Sequence, residues 1–270
     1  MTVRNETMRI AGEKVGNERL LEVFNPYTNE LVGTVPRATV ENIKVAFEKA
    51  KAFKSQLSRH ERAEILSRAA DLLVERKDDF SDLICAEAGL CKKDTLYEVG
   101  RACDVFKLSA KLVIQDDSQV FSCDISPHGK KRKIYTMRQP LLGVISAITP
   151  FNHPLNQVAH KVAPSIATNN RMVLKPSEKT PLSALLLADI LYEAGLPPAM
   201  FSVVTGDPKE IGDELLKNDD ADLVTFTGGV ATGHYIAENI GCPIKKRACQ
   251  HCCIDPLSSR VLLVFPRAAG

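Results

Sequence analysis

Four short stretches of this 270-residue chain combine residue types that can do chemistry. In Thr149-Pro150-Phe151-Asn152-His153-Pro154-Leu155-Asn156, the Asn152 amide is a donor able to stabilise a developing oxyanion. The plainer reading is that Pro154 opens a helix which Asn152 or His153 caps. In Lys175-Pro176-Ser177-Glu178, a lysine and a carboxylate at one strand tip can hold the vicinal hydroxyls of a ribose. A solvated lysine is the alternative there. In Thr205-Gly206-Asp207-Pro208, the glycine admits a planar ring close to the backbone. Phe226-Thr227-Gly228-Gly229-Val230-Ala231-Thr232-Gly233 places glycines at a strand-to-helix junction, where free N–H groups can meet a pyrophosphate. Its spacing departs from G-x-G-x-x-G, and it closes a fourth strand instead of a first, so alone it is weak evidence.

Each stretch follows an apolar run that reads as a strand: Val144–Ile148, Met172–Leu174, Phe201–Val204 and Leu223–Phe226. Helical patterns lie between them. The clearest runs from Thr180 to Ala194, with Thr180 expected as N-cap, Pro181 in the first turn, and Gly195 and Pro197 as the stop. Strand–helix repetition of this kind predicts an α/β fold with a Rossmann-like parallel sheet covered on both faces. Ligands of such sheets bind beyond the carboxyl ends of the strands, where all four stretches stand. Upstream, Arg19–Phe24 and Glu30–Val35 read as strands about a Pro/Asn turn. Thr39 caps a helix through Ala50, and further helices are expected from about Ser58, over Asp78–Ala88 and over Asp94–Val113. Residues 119–140 alternate about Pro127-His128-Gly129 and predict a β-ribbon. A two-stranded ribbon has little core of its own, so another domain or subunit is expected to cover it.

Composition sets the outer limits. Hydrophobic residues at 44% and charged residues at 25% exclude a disordered or collagen-like chain. A net charge of +2 offers no case for nucleic acid or a membrane surface as partner. Aliphatic runs such as Val261–Phe265 are too short to span a bilayer, and the N-terminus has no secretory h-region, so a cytoplasmic protein is expected. Of eight cysteines, Cys242, Cys249, Cys252 and Cys253 cluster near the end. Cys249 and Cys252 have the spacing of half a zinc site, but no second ligand pair follows, so no metal is expected.

Several of these segments stand in the order and spacing of one family. Thr149-Pro150-Phe151-Asn152, Leu174-Lys175-Pro176-Ser177-Glu178, Glu193-Ala194-Gly195-Leu196-Pro197-Pro198, Val203-Val204-Thr205-Gly206 and Phe226-Thr227-Gly228 together resemble the aldehyde dehydrogenase superfamily. Phe24-Asn25-Pro26-Tyr27-Thr28 resembles its entry motif, and the resemblance covers roughly residues 8 to 241. Its closest flavour, on Tyr97-Glu98-Val99-Gly100-Arg101, Ser122-Cys123-Asp124 and Pro150–Asn156, is the phosphonoacetaldehyde dehydrogenase group.

The resemblance implies oxidation of an aldehyde, phosphonoacetaldehyde, to the acid with NAD as cofactor, in a homo-oligomer. Asn152 would be the oxyanion-hole amide. Thr149, Pro150, Phe151, Ser177, Phe226 and Thr227 would border the cofactor. Lys175 and Glu178 would bind the adenosine ribose, the acid making NADP less suitable by repelling a 2′-phosphate. Gly206 would border the adenine, and Gly228, Gly229 and Gly233 would meet the pyrophosphate. The family usually carries serine where Gly229 stands. Arg101 and His153 are the candidates for the phosphonate, with a surface ion pair and a helix-start residue as their plainer readings.

The pattern departs from the family after Ile240. A strand ending in Glu-Leu-Gly-Gly should carry the general base, yet Gln250 or His251 stands near the expected acid, and the nucleophilic cysteine would fall beyond Gly270. The expectation is therefore an NAD-binding domain over 1–118 and 141–241, an oligomerisation ribbon over 119–140 and an aberrant tail over 242–270. The catalytic domain would be absent and the chain inactive alone. Two other classes stand beside this: a non-catalytic NAD-binding or assembly partner, and a non-functional gene fragment.

Overall fold

The computed structural model describes residues 3–116, 118–136 and 143–240, and the backbone of 246–251. Three short strands open the chain: β1 (Arg4–Asn5), β2 (Met8–Ile10) and β3 (Glu13–Val15). They precede the antiparallel pair β4 (Leu20–Phe24) and β5 (Leu31–Pro36). Four helices follow: α1 (Val40–Ala52), α2 (Arg59–Glu75), α3 (Lys77–Ala88) and α4 (Lys92–Ile114). The ribbon β6 (Gln119–Ser122) and β7 (Lys133–Thr136) leads to the alternating part of the chain. That part runs β8 (Val144–Ile148), α5 (Pro154–Ala167), β9 (Arg171–Lys175), α6 (Leu182–Glu193), β10 (Phe201–Val203), α7 (Pro208–Lys217), β11 (Leu223–Gly228), α8 (Val230–Asn239) and β12 (Lys246–His251).

The main sheet has the order β12-β11-β8-β9-β10-β2-β3. Its strands run parallel from β12 to β10, and β2 and β3 add an antiparallel edge. The α/β class is therefore as expected, although the edge strands were not foreseen from the sequence. Three residues are too few to show a period, and Met8, Arg9 and Ile10 are all buried instead of alternating. Arg9 belongs there because its guanidinium grips Asp189 of α6 at 2.7 Å through both Nε and Nη2. Strand β12 pairs with β11 from Leu223↔Lys246 to Gly228↔His251. Six residues assigned from the sequence to a tail of different character thus continue the sheet; the rest of that segment lies outside the described residues.

Helices cover both faces. On one, α5 and α6 pack under α2, α3 and α4, with Leu66, Phe80, Phe106, Val158 and Leu185 fully enclosed. On the other, Ile43 and Phe47 of α1 meet Ile211 and Leu215 of α7. Gly195 ends the turn after α6 at φ +96°, a left-handed position that glycine reaches without strain.

The caps of two helices differ from the sequence reading. Helix α6 begins at Leu182, after Pro181, not at Pro181 after a capping Thr180. The reason is a distant cap: the Glu87 carboxylate of α3 accepts the N–H groups of Leu182 at 2.8 Å and Ser183 at 3.0 Å. Helix α5 has Pro154 in its first turn as expected, but its N-cap His153 makes no side-chain cap bond. There Glu98 of α4 accepts from Leu155 at 2.9 Å and Asn156 at 3.0 Å.

The ribbon is present over 119–136, and its expected continuation over 137–140 lies outside the described residues. Val120 faces Tyr135 and Phe121 faces Ile134 on the opposite side. Every residue of both strands is exposed. Both faces of the ribbon thus present apolar side chains to solvent.

Candidate functional site at the strand tips

The strand order creates a switch point. Strand β8 sits between β9 and β11. The chain leaves β8 through α5 towards β9, and only later returns through α7 to β11 on the other side. Loops leaving β8 and β11 therefore diverge to opposite faces and open a crevice, the usual ligand site of such sheets. The first and fourth chemical stretches occupy these two loops. Thr149 and Thr227, at 4% and 2% exposure, stand at the two tips, and each has a buried Oγ1 with no hydrogen-bond partner among the described residues. Buried hydroxyls without partners at both lips point to a polar ligand between them.

The β9 tip is joined to the β8 tip, since the Thr149 N–H donates to the Lys175 carbonyl at 3.2 Å. Lys175 is 2% exposed, not solvated. Its Nζ donates to the Pro176 carbonyl at 3.1 Å and lies 3.5 Å from Glu178 Oε2. Burial pushes the Lys175 ammonium down, and the Glu178 and Asp207 carboxylates oppose that shift. A buried cation with a half-exposed carboxylate alongside is a donor–acceptor pair suited to a diol. Ser177 shapes the turn by accepting the Lys179 N–H at 3.2 Å, and the Lys179 ammonium sits 4.8 Å from the Phe151 ring. That contact ties the loops after β8 and β9 together. Phe24, Arg37, Phe151, Glu178, Lys179 and Thr180 line an adjoining cleft of about 760 Å³.

At the β10 tip, Gly206 has φ +155°, and a Cβ there would come 3.1 Å from the Ala38 nitrogen. The close approach is fixed by Thr205, whose carbonyl accepts the Ala38 N–H at 2.7 Å and whose hydroxyl donates to the Pro36 carbonyl at 2.6 Å. At the β11 tip, Phe226 folds its ring under Gly228, where a Cβ would lie 2.5 Å from the ring. Gly229 is the N-cap of α8, and a Cβ there would meet nothing within 4 Å among the described residues. Gly233 is buried one turn into α8.

Asn152 and His153 lie together on the turn that enters α5. His153 is 43% exposed, with Nδ1 3.3 Å from Glu98 Oε2. That hydrogen bond holds the imidazolium above the ordinary histidine range, against burial and the charge of Arg101. Arg101 is exposed one turn along α4, its guanidinium 5.9 Å from the Tyr97 ring. The structure therefore brings the two expected anion-binding residues to neighbouring elements. Glu98 itself was not singled out from the sequence. Its signal was an acid on an apolar helix face, among Thr95, Val99 and Ala102, all buried. Among the described residues, no group of three or more His, Cys, Asp or Glu side chains is placed to hold a metal, and no helix is long and apolar enough to cross a membrane.

Comparison with known proteins gives the chain's relatives. The aldehyde dehydrogenase family matches residues 13–251, a span that includes β12. The 3-sulfolactaldehyde dehydrogenase of Priestia aryabhattai is 37% identical over 240 residues, covering 88% of this chain and 50% of that one. The NADP-dependent glyceraldehyde-3-phosphate dehydrogenase of Bacillus halodurans C-125, solved with NADP, superposes with a TM-score of 0.84 at 32% identity over 92% of this chain and 52% of that one. The betaine aldehyde dehydrogenase of Staphylococcus aureus, solved with NAD+, gives 0.83 at 28% identity over 91% and 49%. The chain spans about half the length of these relatives.

Proposed function

The chain belongs to the aldehyde dehydrogenase family, and from that premise we propose that it forms the nicotinamide-dinucleotide half of an enzyme oxidising a small anionic aldehyde to its acid. The observation that carries the reading is the pair of buried hydroxyls, Thr149 and Thr227, which have no partner among the described residues and stand at the two lips of the switch-point crevice. Lys175 and Glu178 would grip the adenosine ribose, Gly206 would border the adenine, and the N–H groups at the start of α8 would meet the pyrophosphate. NAD fits better than NADP, because the Glu178 carboxylate would face a 2′-phosphate. When bound, the dinucleotide supplies the hydride acceptor that carries the carbonyl carbon to the acid oxidation level. The residues of this chain would prepare that carbon: Asn152 would donate to the carbonyl oxygen as an attacking nucleophile adds to the carbon and negative charge develops on the oxygen.

Arg101 and His153 would hold the anionic end of the substrate, the guanidinium as a fork and the imidazolium as a single charged donor. Phosphonoacetaldehyde is the first candidate on the sequence resemblance. A sulfonated aldehyde is the second, favoured by the similarity to a 3-sulfolactaldehyde dehydrogenase.

Binding to the purified chain tests the proposal. The sequence has no tryptophan, so NADH fluorescence can be followed without indole overlap. NADH fluorescence should rise on binding. Calorimetry should show phosphonoacetate or sulfoacetate losing at least about tenfold in affinity in an Arg101→Gln, His153→Gln variant, with NADH binding unchanged. Equal losses for the anion and for neutral propanal would refute anion recognition.

A further inference from the structure

We propose that Glu98 is a positioning residue of the site: its buried carboxylate locks the turn carrying Asn152 and sets the tautomer and charge of His153. The inference rests on the anion-binding reading of His153 and adds a residue that reading does not contain. Glu98 is 1% exposed, and both of its oxygens are engaged. Oε1 accepts the N–H groups of Leu155 and Asn156, and Oε2 faces His153 Nδ1. A carboxylate only accepts, so the imidazole must place its proton on Nδ1, leaving Nε2 as the nitrogen available to a ligand. With both nitrogens protonated, the outward Nε2–H becomes a charged donor to an anion.

The charged groups bearing on His153 are Glu98, Arg101 and Asp94, all on α4. Glu98 and Asp94 favour the imidazolium, and Arg101 opposes it. His160, about two turns further along the same side of α5, provides the contrast. Its charged neighbours are Arg101 and Lys161, and burial, aided by both, pushes it below the ordinary range. Two histidines of one helix region, both near Arg101, thus diverge because one has a carboxylate partner. Glu98 also couples the two ends of the proposed substrate. The same carboxylate that orients the imidazole for the anion holds the backbone beside the oxyanion amide.

Glu98→Gln separates the roles. Its carbonyl oxygen can still accept from Leu155 and Asn156, but the negative charge facing His153 is gone. Long-range 1H–15N spectra, with His153 assigned by its loss in His153→Gln, should show the Nδ1-protonated neutral tautomer in the wild type. In Glu98→Gln the His153 titration should move to lower pH, while the Leu155 and Asn156 amides stay protected from exchange. Phosphonoacetate affinity falls as pH rises through the His153 titration, so the fall should begin at lower pH in the variant, with a loss of roughly fivefold near neutrality. An unchanged titration and an unchanged pH profile would overturn the proposal. If Glu98→Gln does not fold, the wild-type tautomer decides, and a neutral His153 protonated on Nε2 alone contradicts it. The spectra use no anion, so a wild type with the expected tautomer and no phosphonoacetate binding would sink the anion-binding reading and leave the role of Glu98 standing.

Discussion

Helices α1 and α2 start with caps taken from their own sequence, whereas α5 and α6 take theirs from side chains far away. Thr39 and Ser58 each accept the backbone N–H three residues on, and Asn42 and Glu61 return the bond, so both are capping boxes. Glu98 and Glu87 cap α5 and α6 across 57 and 95 residues of chain. Neither locally capped helix follows a strand of the parallel sheet: α1 follows β5, and α2 follows α1. The two remotely capped ones follow the β8 and β9 tips, where the loops carry Asn152 and Lys175. A local Ser or Asp cap would leave the turn free to move with its own helix, whereas a buried carboxylate from α3 or α4 ties the turn to the helical layer behind it. The loops after β8 and β9 are thus held from outside their own segment, and their shape depends on the packed helical layer, whereas at the β10 tip Asp207 caps α7 from its own sequence by accepting the Lys209 N–H.

The contrast predicts unequal costs. Glu98→Ala and Glu87→Ala each leave two buried N–H groups without partners and should destabilise by about 2–5 kcal/mol in denaturant unfolding. Equal losses at Glu98 and at the local caps would break the comparison.

Glu87 adds a pH signature. Burial raises its carboxyl to about 7 from an ordinary 4.5, outweighing the bonds from Ser183 and Leu182, which favour the charged form. The folded state therefore holds the proton longer than the unfolded one, and its stabilising contribution is full below pH 4.5 and lost as pH rises through about 7. Relative to Glu87→Gln, the wild type should lose about 3 kcal/mol across that window. A flat difference between the two proteins would show that the carboxylate stays ionised throughout.

Thr39→Ala and Ser58→Ala should cost less, about 1 kcal/mol each, as exposed caps do. The smallest expected effect is at Gly229, the N-cap of α8, where a Cβ finds open space. Gly229→Ser should stabilise by a few tenths of a kcal/mol. It should also tighten NAD a few-fold by adding a hydroxyl beside the helix start. Weaker NAD binding in this variant would mean that the backbone there sits closer to the ligand than the crevice suggests.

Legibility in the sequence follows the same division. Thr39 and Ser58 could be read directly, because capping boxes lie within four residues. The buried parallel strands and the stop at Gly195 were legible for the same local reason. The start of α5 at Pro154 was legible as well, but the start of α6 and the capping partners of both helices were not, because those caps come from other helices. Thr180 has the sequence position of a cap for α6, yet its hydroxyl makes no hydrogen bond among the described residues and the Glu87 carboxylate caps the helix. A trace of both remote caps was nevertheless present. Glu87 follows Phe80, Leu83 and Ile84 on the buried face of α3, and Glu98 shares the buried face of α4 with Val99 and Ala102. An acid inside an apolar helical stripe asks for a buried donor, although the sequence does not say which one. At the crevice, the motif residues were legible, but the burial of Lys175 was not, since it depends on packing from strands on either side.

Calorimetric titration of the folded chain with NAD and NADP, for the wild type and Glu178→Gln, tests the dinucleotide crevice most directly. The wild type should bind NAD at least about tenfold more tightly than NADP, and the glutamine variant should narrow that gap by gaining NADP affinity. A cooperatively folded chain that binds neither nucleotide, or one that binds NADP as tightly as NAD whatever stands at 178, would contradict it.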